Sequence, residues 1–185
     1  ESPPPPSKSP CSSKLAGHGK RKKGTCFDMV SQSTRGPLMV VVPGGADFAQ
    51  PFAIGKYEVT VGDFNNYCNS SGACESTDRD KRLPITGVSF EEATAYAKWL
   101  SDRTGNTYRL PTVDEWSYAA DAGGQQPRKD YNCRVEQGGQ ILKGQSTMGV
   151  NTGKANGWGL YNYVGNAQEW ARSGEGVVVR GGAFE

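Results

Sequence analysis

Sulfur and a single imidazole are the side chains here best suited to chemistry. The cysteines are Cys11, Cys26, Cys68, Cys74 and Cys133, and the only histidine is His18. Cys68 and Cys74 flank Asn69-Ser-Ser-Gly-Ala73, a turn-rich loop. That spacing suits a small disulfide-closed loop and lacks the paired C-x-x-C of a zinc site. The sequence leaves the pairing of Cys11, Cys26 and Cys133 open, and an odd count leaves one cysteine over. His18 lies in a tail, so the folded part cannot build a His-based metal site, nor a Cys-His or Ser-His nucleophile. This cysteine usage points to an oxidising compartment.

Positioning any site falls to a folded part read as residues 26–185, behind a Pro/Lys-rich linker at residues 1–25. The linker holds Pro3 to Pro6, then Ser, Lys and Gly with almost no apolar residue. Such a segment cannot bury enough surface to order itself, so it is expected to be extended and mobile. The chain opens on Glu1 without a leader-like segment, and it reads as a mature protein or an excised fragment. No window approaches the length of apolar residues that spans a bilayer.

Beyond the linker, Leu38 to Val42 is an apolar run of strand length, stopped by Pro43-Gly44-Gly45, and Phe52 to Val59 is a second strand candidate. Thr60 caps a helix carrying Val61, Phe64 and Tyr67/Cys68. Ser89 and Glu92 form a capping box before the stripe Phe90, Ala93, Tyr96/Ala97 and Leu100, and Gly105 ends that helix. Pro111 and a second box, Thr112 with Glu115, open a short helix bearing Trp116, Ala119 and Ala120. Gly176 to Arg180 is strand-like. Helices in the middle with strands at both ends predict an α+β, loop-rich fold.

The net charge of +2 divides unevenly. Residues 1–25 hold six Lys/Arg against Glu1, so the basic character belongs to the linker and the folded part carries an acidic excess. A nucleic-acid partner is therefore not expected, and Lys20–Lys23 read as a solvated basic linker.

Four segments in order resemble the formylglycine-generating-enzyme (sulfatase-modifying factor) family, whose fold is related to C-type lectins. They are Ile54-Gly-Lys-Tyr-Glu-Val-Thr-Val-Gly-Asp-Phe64, Leu83-Pro-Ile-Thr-Gly-Val-Ser89, Tyr108-Arg-Leu-Pro-Thr-Val-Asp-Glu-Trp116, and Gly157-Trp-Gly-Leu-Tyr-Asn-Tyr-Val-Gly-Asn-Ala-Gln-Glu-Trp170 followed by Arg180-Gly-Gly-Ala-Phe184. Trp116, Trp158 and Trp170 read first as core-filling aromatics. Arg180-Gly181-Gly182 places flexible backbone after a strand, where another segment approaches closely.

The resemblance implies a structural calcium ion held by Asn162, Gly165, Ala167 and Glu169, the first and last through side chains and the middle two through carbonyls. Hard oxygen donors suit Ca²⁺. Without the resemblance, Asn162 and Glu169 would read as a turn residue and a surface acid. A second calcium site matches only at Asn132 and Cys133 and is not carried over in full.

The family's oxidase chemistry uses two copper-binding cysteines beyond the Arg-Gly-Gly motif. Residues 134–185 contain no cysteine, so neither copper nor a catalytic residue is expected in them. The C-terminal part of the family fold is read as missing. The expected function is that of a non-catalytic binding or regulatory (sensor-type) domain, facing the bacterial periplasm. It would take a protein or peptide partner at the groove formed by Arg180, Gly181 and Gly182. Cys26-Phe-Asp-Met-Val30 and Gly55 to Val61 are similar to the domains fused to bacterial Ser/Thr kinases, and a Pro-rich stalk suits tethering to a membrane. A secretion-system regulator is a related expectation. The alternative is a truncated formylglycine-generating oxidase acting on a sulfatase cysteine.

Overall fold

The helices begin where the sequence places its capping boxes. In the computed structural model, α1 (Val61–Ser71), α2 (Phe90–Thr104) and α3 (Val113–Ala120) start after Thr60, Ser89 and Thr112, and each of these hydroxyls accepts the N–H of the acid three residues on. Each acid in turn reaches back to the cap N–H, so two otherwise orphaned donors are satisfied at every start. Gly72 and Gly105 end α1 and α2 in the left-handed conformation, where an L side chain would be strained. The structure describes residues 10–12, 24–44, 48, 50–122, 135–137, 140–142, 146–174 and 176–183.

Among these residues the strands form three small antiparallel sheets. One sheet runs β1 (Gly24–Cys26), β2 (Met39–Val42), β3 (Phe52–Gly55). The second pairs β4 (Val135–Gln137) with β5 (Gln140–Leu142), and the third pairs β6 (Glu169–Ser173) with β7 (Gly176–Arg180). The mixture of short sheets, three helices and long loops is the α+β, loop-rich arrangement the sequence predicts.

The central strand β2 explains its own composition. Val40, Val41 and Val42 are all essentially inaccessible, so both faces of the strand are covered. Val40 and Val42 point into a cluster with Ala119, Ala120, Leu160 and Tyr163, whereas Val41 packs with Cys11 and Cys26 on the other face. A separate cluster joins α1 to α2 through Phe64, Tyr67, Tyr96 and Leu100. The α2 stripe is buried at Tyr96, Ala97 and Leu100, and Phe90 and Ala93 sit half-buried at its upstream end.

The boundary after residue 25 needs correction. Gly24 and Thr25 belong to β1, and Cys11 is disulfide-bonded to Cys26. The Cys11 N–H also donates to the buried Asp28 carboxylate at 3.0 Å, and Cys11 itself is buried. Composition alone describes a mobile linker, but a covalent staple and a buried acceptor hold Pro10–Ser12 on the domain. His18 and Lys20–Lys23 lie outside the described residues. The second disulfide, Cys68–Cys74, closes the turn after α1 as expected.

Candidate functional site

Two acids far apart in the chain, Glu58 and Glu169, define the site. Glu58 follows β3, and Glu169 opens β6. The loop before β6 is drawn toward the end of β3 by the Tyr161 N–H, which donates to the Lys56 carbonyl at 3.0 Å. Glu58 then collects that loop. One carboxylate oxygen accepts the Ala167 N–H at 3.1 Å, and the other accepts both Asn162 Nδ2 and Asn166 Nδ2 at 3.1 Å. Both asparagines adopt positive φ, 52° for Asn162 and 65° for Asn166. Asparagine tolerates that conformation better than other non-glycine residues, and its short amide can still bond locally.

The asparagines carry the network further. Asn162 Nδ2 also donates to the Val150 carbonyl at 2.9 Å. Asn166 brackets Met148, accepting its N–H at 2.7 Å and donating to its carbonyl at 3.0 Å. Glu58 is only 7% exposed. Burial pushes its pKa up to about 8, the nearby Glu169 charge adds to that, and the bonds from Asn162, Asn166 and Ala167 oppose it. Glu169 is pushed up to about 7 by burial, against a 2.8 Å hydrogen bond from Trp116 Nε1.

Both acids border a cavity of about 590 Å³ lying between the two main core clusters. Its walls include Tyr57, Trp116, Tyr163 and Trp170. A volume of this order is typical of ligand sites. Two structural pairs brace the wall. Arg109 makes a two-pronged ion pair with Glu115, at 2.7 and 2.6 Å, which ties the segment before α3 to that helix's first turn. The Tyr108 hydroxyl donates to Asp28 at 2.6 Å, the same carboxylate that holds Cys11. Burial and this bond raise the Tyr108 pKa far above the usual tyrosine value.

The residues singled out by sequence divide into those the structure gathers and those it assigns elsewhere. Asn162 and Ala167 converge on Glu58. Ala167 does so through its N–H, leaving its carbonyl directed at Gly181: a Cβ built on Gly181 would lie 3.8 Å from it, 3.6 Å from the Tyr163 carbonyl and 3.7 Å from the Trp116 ring. Those are ordinary contact distances, so it is the backbone conformation, φ +77°, that favours glycine at Gly181. Arg180 is exposed and stands opposite Glu169 in the β6–β7 register. Asn132 and Cys133 lie outside the described residues.

The tryptophans pack as core residues. Trp116 and Trp158 join the β2 cluster, and Trp170 donates to the Val88 carbonyl at 2.9 Å and meets Phe90 edge-on. Sequence reasoning missed Glu58 and Asn166.

The donors suited to a metal are oxygens alone: the Glu169 carboxylate, the Asn162 amide oxygen, and the carbonyls of Gly165 and Ala167. Glu169 and Asn162 each keep one side-chain oxygen unpaired among the described residues. That chemistry fits a hard cation such as Ca²⁺ and not a soft one. Among the described residues no group of three or more His, Cys, Asp or Glu is placed to hold a metal. A cation here would therefore rely on amide and carbonyl oxygens beside one carboxylate.

Comparison with known proteins sets this geometry in a family. The chain is 36% identical over 110 residues to the formylglycine-generating enzyme of Thermomonospora curvata, a match covering 51% of this chain and 34% of that protein. It is 32% identical over 87 residues to serine/threonine-protein kinase pkn1 of Chlamydia caviae, covering 47% of this chain and 13% of the kinase. The chain thus spans about a third of the enzyme's length and a smaller part of the kinase's. In structure it is similar to PvdO from Pseudomonas aeruginosa, with a TM-score of 0.62 and 24% identity over 83% of this chain and 76% of that one, a likeness of fold. The family description "Sulfatase-modifying factor enzyme 1-like domain" matches residues 25–185, and the chain belongs to that family.

Proposed function

We propose that this chain is a non-catalytic contact domain, displayed in the periplasm, that binds a protein or peptide beside the Arg180-Gly181-Gly182 turn. One observation carries the reading. Four of the five cysteines are closed in the Cys11–Cys26 and Cys68–Cys74 disulfides. Within these 185 residues only Cys133 is left, so they do not by themselves supply the pair of thiolates that a copper site of the family's kind needs. The two disulfides suit an oxidising compartment, and among the described residues no helix is long and apolar enough to cross a membrane.

The likeness to pkn1 supports attachment to a kinase as its sensor, with the Pro-rich N-terminal segment as the stalk to a membrane. Acting on a secretion system is a second setting for the same contact role. A structural Ca²⁺ at Asn162, Gly165, Ala167 and Glu169 is part of the proposal. The cation would neutralise Glu169 and rigidify the loop that lies under Gly181.

The identity with formylglycine-generating enzymes favours a second reading, that these residues are one part of an oxidase. An assay on the full-length gene product separates the two, because residues 134–185 hold no cysteine under either reading. The protein is incubated with Cu(I), oxygen and a sulfatase-type cysteine peptide, and aldehyde is measured by mass spectrometry. No aldehyde is expected. Turnover of the peptide overturns the contact-domain reading in favour of the oxidase.

A further inference from the structure

Asn162 is gripped on one side only. Its Nδ2 donates to the Glu58 carboxylate at 3.1 Å and to the Val150 carbonyl at 2.9 Å. Both partners are acceptors, so both amide hydrogens are used and the nitrogen must face them. The amide oxygen is thereby turned away from Glu58. It has no partner among the described residues, although Asn162 is only 7% exposed. A buried polar atom left in this state costs free energy unless a ligand takes it up.

Asn166 supplies the contrast. The same Glu58 oxygen accepts from Asn166 Nδ2 at 3.1 Å, and the Asn166 backbone has the same positive φ as that of Asn162. The Asn166 oxygen, however, accepts the Met148 N–H at 2.7 Å. Of two asparagines held by one acid, only Asn162 presents a free oxygen. Glu58 itself is turned the other way, with one oxygen on the Ala167 N–H and the other on the two amides. Neither Glu58 nor the nearby Glu169 makes an ion pair among the described residues, so the local charge is negative and uncompensated by a base.

We infer that Glu58 is the positioning residue of the cation site: by holding the Asn162 nitrogen it fixes the Asn162 oxygen toward a hard divalent cation that Glu169 shares. The other Glu58 oxygen acts on the backbone in the same way, since its bond to the Ala167 N–H pins the peptide that precedes the Ala167 carbonyl. Partners behind the ligands commonly orient them, and losing one typically weakens metal affinity about 10- to 100-fold. The inference rests on the calcium reading above and adds to it a residue that is not itself a ligand.

Calcium affinity is measured by competition with a fluorescent chelator on the full-length gene product stripped of metal. Binding that Glu169→Gln removes defines the site. Glu58→Leu should weaken that binding about tenfold or more. The double variant Glu58→Leu/Asn162→Ala should bind no more weakly than Asn162→Ala alone, because Glu58 acts through that amide. Glu92→Ala, which opens the capping box of α2, should lose stability and bind calcium as the unaltered protein does. Circular dichroism confirms that each variant is folded. A second measurement needs no variant at Glu58. In the calcium-free protein, hydrogen exchange followed by NMR should already be slow at the Asn162 side-chain amide, since its two acceptors hold it before a cation arrives.

Unchanged affinity in Glu58→Leu, losses that add in the double variant, equal weakening by Glu92→Ala, or a freely exchanging Asn162 amide overturns the inference. Calcium binding that survives in Glu58→Leu but not in Glu169→Gln leaves the calcium site standing and removes only the role of Glu58. Absence of calcium binding by the unaltered protein removes both.

Discussion

Glu58 and Ala167 stand 109 residues apart in the chain, and the Ala167 N–H donates to the Glu58 carboxylate at 3.1 Å. That bond, with those from Asn162 and Asn166, makes one buried side chain the acceptor for a whole turn of the loop before β6. The loop holds two asparagines in a conformation that costs free energy elsewhere, and Glu58 offsets the cost by accepting from their side chains.

Replacing Glu58 by Ala is expected to destabilise the fold by about 3 kcal/mol, because the donors of Asn162, Asn166 and Ala167 would lose their buried acceptor. Urea unfolding followed by tryptophan fluorescence measures the change. A loss within error of zero would mean that the loop is held by other contacts.

Glu115 sets an acid limit. The Arg109 guanidinium holds its carboxyl below the usual value of 4.5, the Thr112 N–H assists, and partial burial opposes both. A carboxyl whose folded pKa is depressed contributes stability above its unfolded pKa and loses it as pH falls through the folded value. Stability should therefore drop as pH falls below about 4.5. Glu115→Gln should flatten that part of the curve while lowering stability at pH 7 by about 2 kcal/mol. Unfolding midpoints across pH 2 to 7 check both effects. Glu58 and Glu169 act with the opposite sign, since their raised folded values mean that stability is lost as pH climbs toward 7 and 8.

The two disulfides should differ in worth. In the chain-entropy picture a longer closed loop stabilises more. Cys11 and Cys26 are 15 residues apart, and Cys68 and Cys74 are 6 apart. Removing the first by Cys11→Ser/Cys26→Ser should cost about 3 kcal/mol, and removing the second should cost about 2 kcal/mol or less. Non-reducing peptide mapping and thermal melts test the pairing and the ranking. Free thiols at Cys11 and Cys26 in oxidised, secreted material would contradict the fold described above.

Calcium binding to the native state alone raises stability by about 2.7 kcal/mol at a hundredfold excess over Kd. A chelator should accordingly lower Tm. Glu169→Gln, which retains an oxygen for Trp116 Nε1, should abolish most of that sensitivity. An unchanged melting curve with and without chelator, together with no metal by elemental analysis, removes calcium from the account.

Local structure was legible in the sequence wherever one short segment contains its own reason. The boxes at Thr60, Ser89 and Thr112 and the glycine stop at Gly105 need only residues within a few positions, and all fall where the pattern puts them. The strand Phe52 to Val59 is shorter in the structure, ending at Gly55, because Tyr57 and Glu58 turn toward the cavity and the loop from Tyr161 to Ala167. Glu58 was not legible, because its partners lie 104 to 109 residues away and nothing nearby marks them. The staple at Cys11 was hidden for a related reason. Composition averages over a window, and one covalent bond in a Pro/Lys-rich window overrides the average.

That staple also sets how the domain answers a pull. Cys11 covers Val41 on the outer face of β2, and its bond to Cys26 ends on β1. Tension applied to the N-terminal segment passes through sulfur directly into the three-stranded sheet, bypassing residues 12–25. Those residues form a hidden length that an oxidised chain cannot release. Stretched in a single-molecule trap, the reduced protein should gain about 50 Å of contour length that the oxidised protein withholds.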